Sequence, residues 1–119
     1  MVYPEHQDLI IFQNATFNPQ FTWRDYIGNV YDLSEYTAKM EIRTSVNALD
    51  PPAVSLTTEN GGIILSSTSP NITLFLSDVD TQALTITCGV YSLLLVSSSN
   101  VVDEILRGKI KVEPNATKS

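Results

Sequence analysis

The apolar run Val90-Tyr91-Ser92-Leu93-Leu94-Leu95-Val96 is followed by a turn-forming Ser97-Ser98-Ser99-Asn100, and then by an alternating stretch from Ile105 to Val112. Apolar residues at every second position fit a strand with one buried face, and a polar break between two such runs fits a hairpin. Tyr91, Leu93 and Leu95 share one parity, with Leu106 and Ile110 facing them from the second strand, so these five are expected in the core.

Shorter runs of the same kind fill the rest of the chain. Asp8–Gln13 reads as a strand. Ala15–Trp23 reads as an extended stretch with Phe17, Pro19, Phe21 and Trp23 on one face, at an edge or with a bulge because Pro19 has no amide to donate. Arg24–Asn29 is a hairpin-type turn closed by a short strand at Val30-Tyr31, and Asp32–Tyr36 is a second turn around the apolar anchor Leu33. Thr37–Arg43 alternates cleanly, with Ala38, Met40 and Ile42 inward. After a loop over Thr44–Pro52 come strands at Ala53–Thr57 and Ile63–Leu65, joined by Glu59-Asn60-Gly61-Gly62, and a strand at Asn71–Leu76 with Ile72, Leu74 and Leu76 inward. Ser77–Leu84 alone reads as helical, with Ser77 as N-cap and acidic residues in the first turn. Eight or nine short strands with regular turn signals predict an all-β, antiparallel two-sheet sandwich with one short crossover helix. The 119 residues are read as one domain, with 1–7 and 114–119 as extended termini.

Composition narrows the function classes. Seven basic against thirteen acidic residues give a net charge of −6, and nucleic-acid or anionic-membrane binding normally needs clustered cations. The tightest basic group, Arg107, Lys109 and Lys111, lies on one face of a strand and reads as a solvated face. No apolar run approaches the ~20 residues that cross a bilayer, and Met1–His6 lacks the basic and apolar regions of a signal peptide. The sequons at Asn14, Asn71 and Asn115 are read as coincidental, and the single Cys88 as a small buried hydrophobe.

No constellation for catalysis or a cofactor stands out. His6 is the only histidine, the serines lack a base, and Asp78-Val79-Asp80 lacks the glycine and closing glutamate of a calcium loop. Trp23, Phe21, Tyr36 and Tyr91 are read as core packing rather than as a sugar-stacking platform. The expectation is a non-enzymatic protein without metal or cofactor.

Two stretches carry a resemblance. They are Phe21-Thr-Trp23-Arg-Asp, Gly28-Asn-Val-Tyr-Asp32-Leu33-Ser34-Glu-Tyr36-Thr-Ala38-Lys-Met40-Glu-Ile42-Arg43, and Gly89-Val-Tyr91-Ser-Leu93-Leu-Leu95 followed by Leu106-Arg-Gly108-Lys-Ile110-Lys-Val112. Leu56–Ile63 and Ile72-Thr-Leu74 lie between them. In this order they resemble small immunoglobulin-like structural proteins of tailed bacteriophages, and the N-terminal domain of phage baseplate upper proteins. The resemblance implies turn glycines at Gly28 and Gly61, close packing at Gly108 and an anchoring Tyr36. It also implies a virion protein assembled in the bacterial host cytoplasm, with other virion proteins as partners and possible homo-oligomers. A standalone adaptor or peripheral subunit of the tail or baseplate suits the chain length. A capsid decoration protein and a carbohydrate-binding module are the alternatives.

Strand parity also predicts where such a protein attaches. Phe75, Leu94, Val96 and Ile105 fall on outward parity, and the last three share one hairpin face. They are the expected protein interface.

Overall fold

The computed structural model describes residues 5–25, 27–44 and 52–114. Its elements are β1 (Glu5–His6), β2 (Leu9–Phe12), β3 (Gln20–Phe21), β4 (Thr37–Arg43), β5 (Val54–Thr57), β6 (Ile63–Leu65), β7 (Ile72–Leu74), α1 (Asp78–Gln82), β8 (Cys88–Val96) and β9 (Val102–Glu113). The hairpin β8–β9 anchors a six-stranded sheet in the order β1-β9-β8-β4-β5, with β2 continuing the line of β1 along β9; the other sheet has the order β3-β7-β6. The chain thus crosses between the sheets four times, after β2, β3, β5 and β7, and the first strand joins the last one in parallel. This is the strand order of an immunoglobulin-like sandwich.

Both inner faces supply one core. Met40, Ile42, Leu93 and Leu95 of the large sheet, Ile63, Ile72 and Leu74 of the small one, and Leu33 from the turn before β4 are fully enclosed. The residues expected inside from parity (Ile42, Leu74, Tyr91, Leu93, Leu95, Leu106 and Ile110) are all buried. Phe21, Trp23 and Tyr36 pack against this core half-buried, and Trp23 stacks on Tyr31 with ring centroids 4.2 Å apart. Ser77 caps α1 as expected, its hydroxyl accepting from the Asp80 amide. Gly28 and Gly61 adopt φ of 97° and 80°, the left-handed conformations their turns require.

Three expectations need correction. Ile105 is buried at 3% exposure rather than facing outward. Leu93 pairs with Leu106 but Leu94 pairs with Glu104, so β9 carries one extra residue at a β-bulge. That extra residue breaks the two-residue period, and Ile105 and Leu106 both turn inward. Cys88 is exposed, on the outward parity of β8 and level with Lys111. The strand expected at Val30-Tyr31 is reduced to a single bridge between Arg24 and Val30. Tyr26, most of the Thr44–Pro52 loop, the third sequon and the tail lie outside the described residues.

Gly108 has a structural reason. A Cβ there would lie 2.2 Å from the Gln7 carbonyl oxygen, so only glycine lets the N-terminal strand approach β9. The Tyr91 hydroxyl, cross-strand from Gly108, donates to that same carbonyl. The Asp8 carboxylate accepts from the Lys109 amide at 2.9 Å, taking the place of a ladder carbonyl where β1 gives way to β2. Burial pushes the Tyr91 phenol up from 10.0 to about 12. The folded state therefore holds the proton more tightly than the unfolded chain. This contribution is complete below pH ~10 and is lost as pH rises toward about 12. Thermal melts between pH 9 and 12 should show a steeper alkaline loss for the parent than for Tyr91→Phe; parallel curves would remove Tyr91 from the account.

Candidate interaction face

The outer face of the large sheet is built by the outward parity of three long strands. β4 contributes Thr37, Lys39, Glu41 and Arg43; β8 contributes Cys88, Val90, Ser92, Leu94 and Val96; β9 contributes Val102, Glu104, Arg107, Lys109, Lys111 and Glu113. Pairing sets these residues in rows: Leu94 sits between Lys39 and Glu104, Ser92 between Glu41 and Arg107, and Val90 between Arg43 and Lys109. Val90, Leu94 and Val96 are each half-buried; the first two sit among charged side chains of β4 and β9, and Val96 lies between Thr37 and Val102. The result is a shallow concavity of about 510 Å³ with an apolar floor and a charged rim.

The rim is internally paired. Arg107 grips Glu104 with two bonds of 2.7 and 2.9 Å across the bulge, Arg43 reaches Glu41 at 2.9 Å, and Lys111 reaches Glu113 at 2.8 Å. The Arg107 hydrogen bonds hold the Glu104 carboxyl below its ordinary range, and those of Arg43 do the same for Glu41. Glu113 raises Lys111 in turn. Five of the chain's seven basic residues lie on this face beside three acidic ones, so a net-acidic protein carries a face with cations in excess. The sequence showed the trio on β9; that Lys39 and Arg43 join it follows only from β4 pairing with β8.

Of the four residues expected at an interface, Leu94 and Val96 lie on this face and Ile105 does not. Phe75 is 42% exposed, but on the small sheet, where it borders a separate groove with Ala53, Gly62 and Leu84. The structure also exposes Ile10 and Phe12 on β2, at 49% and 53%. Leu9-Ile10-Ile11-Phe12 is apolar at every position, so no polarity pattern marks which pair faces out.

Among the described residues no group of three or more His, Cys, Asp or Glu side chains could hold a metal ion. No helix among them is long and apolar enough to cross a membrane.

No protein-family model matches the chain, and no curated protein does. Solved structures similar to it include voltage-gated sodium channel β subunits studied for multimeric cell-adhesive interactions, at 11% identity and a TM-score of 0.48, covering 94% of this chain and 93% of that one. The extracellular domain of the sodium channel β4 subunit, described as a parallel homodimer, aligns at 14% identity and TM-score 0.41 over 98% and 91%. Extracellular domains 3–5 of Drosophila OTK align at 16% and 0.38, over 88% of this chain and 32% of that one. The fold assignment rests on the strand order itself.

Proposed function

We propose that this chain is a non-enzymatic structural subunit that docks onto another protein through the outer face of its six-stranded sheet, as an adaptor or peripheral subunit of a phage tail or baseplate. The observation that carries the docking reading is the outward apolar row of Val90, Leu94 and Val96 along β8, with the Lys39–Glu41 and Arg107–Glu104 ion pairs on either side of Leu94. An apolar centre within a polar rim is the common anatomy of protein interfaces. The virion setting is supported by the motifs from Phe21 to Val112. A carbohydrate-binding role is disfavoured because the concavity on β4, β8 and β9 has no outward aromatic ring for a sugar to stack on, and Phe12 lies at the far edge of the sheet, level with Glu113. A capsid position remains the second reading, and the copy number per particle separates it from a tail position.

The double variant Leu94→Lys with Val96→Lys should melt within a few degrees of the parent, since surface changes typically cost about 0.5 kcal/mol or less. It should nonetheless be missing from particles assembled in its presence. Normal incorporation would overturn this face as the docking surface, and loss on Phe75→Lys instead would move docking to the small sheet.

A further inference from the structure

The two outer edges of the large sheet are treated differently by the molecule. On β5, the outward main-chain groups of Ser55 and Thr57 are occupied by a side chain. Thr57 donates its amide to Asn60 Oδ1 at 2.9 Å, and Asn60 Nδ2 donates to the Ser55 carbonyl at 3.0 Å. Asn60 thus imitates a neighbouring strand and closes that edge to any other.

Among the described residues the β2 edge has no such guard. Gln7 and Gln13 both donate their amides to β9 carbonyls, at 2.8 and 2.9 Å, and the register between them is unbroken from Leu9↔Ile110 to Phe12↔Glu113. Odd-numbered residues therefore face β9, and the amides and carbonyls of Ile10 and Phe12 point away from it. Their side chains are the exposed apolar pair, and Leu9–Phe12 contains no charge, proline or bulge to blunt the edge.

We infer that β2 pairs antiparallel with β2 of a second copy, about a two-fold axis at Ile11, to join two large sheets into one. The register is self-complementary. A two-fold at Ile11 sets Ile10 opposite the partner copy's Phe12, and Phe12 opposite its Ile10. Both residues of each pair then have amide and carbonyl aimed at one another, which closes four hydrogen bonds and covers both apolar side chains. A two-fold at Ile10 would instead set Asp8 opposite Phe12, although the Asp8 carboxylate is already bound to the Lys109 amide. This also explains why the partner is a second copy: the four-residue row is used fully only by its own reverse. The junction borders the docking face, with Ile10 and Phe12 level with Lys111 and Glu113, but Leu94 and Val96 play no part in it, so the two are tested separately.

Sedimentation velocity over a concentration series tests it. The parent should shift from monomer toward dimer as concentration rises. Ile10→Pro removes one outward donor while leaving the β2–β9 ladder intact, and Phe12→Lys charges the junction; each should weaken dimerisation at least tenfold. In a Cys88→Ser background, an equimolar mixture of Ile10→Cys and Phe12→Cys chains should oxidise to a mixed disulfide dimer faster than either chain alone. Circular dichroism melts confirm that each variant remains folded. A parent that is monomeric at every concentration would overturn the inference, and so would a dimer that persists in both edge variants. Loss of dimer on Leu94→Lys, with the edge variants unaffected, would also overturn it.

Discussion

Leu93→Ala should lower stability by about 2–5 kcal/mol, the range for deleting a large aliphatic side chain from a packed core. Leu93 is fully enclosed at the centre of β8, paired with Met40 on one side and Leu106 on the other, both of them buried. Because three adjacent strands meet there, the vacated space cannot be filled by moving one side chain. A thermal melt should show a drop of roughly 10 °C or more for a domain of this size. Leu94→Ala, one residue along and half-buried, is the internal control and should cost far less. Similar losses for the two would mean that the inward parity of β8 is misassigned.

Asn71→Ala should be comparably damaging for a different reason. Asn71 is fully buried just before β7, and its amide side chain clasps the segments on either side of the Arg24–Asn29 turn. Its Oδ1 accepts from the Trp23 amide at 2.8 Å, and its Nδ2 donates to the Trp23 and Tyr31 carbonyls at 3.0 and 2.9 Å. Alanine would strand the Trp23 amide and the Tyr31 carbonyl, while the Trp23 carbonyl keeps the Tyr31 amide at 3.1 Å; each unsatisfied buried group costs about 1–3 kcal/mol. The loss should reach about 3 kcal/mol or more, with a change in Trp23 fluorescence as the Tyr31 stack loosens. Asn71→Asp keeps an acceptor but sets a carboxylate against two carbonyls, so it should rescue little. Full stability in the alanine variant would show that water replaces the clasp. The same geometry uses both Nδ2 protons, which bears on the sequon at Asn71: a glycan there would need the clasp to open.

A strand such as Thr37–Arg43 was legible to the residue, because alternating burial writes itself into alternating polarity. Three features were not legible. The bulge at Ile105 depends on where β8 and β9 lose phase, and two adjacent apolar residues fit either face. The exposure of Cys88 follows from its level beside Lys111, where β8 has just begun. The outward pair of β2 was hidden because all four of its residues are apolar. Of the residues proposed for the candidate face, strand parity put Leu94 and Val96 outward, as the β4–β8–β9 pairing has them. It gave the cations of β4 and β9 no common address, because their adjacency is a property of the sheet.

The uneven distribution of charge has a kinetic consequence. With five cations on one sheet face and ten of the thirteen acidic residues elsewhere in the chain, the molecule has the makings of a strong electric dipole. An acidic surface would turn it sheet-face first before contact, whereas a basic one would meet it from behind. Orientation before collision raises the association rate, and added salt removes that advantage because it screens the field. The electrostatics would therefore select how the subunit arrives, and the apolar row at Leu94 how long it stays.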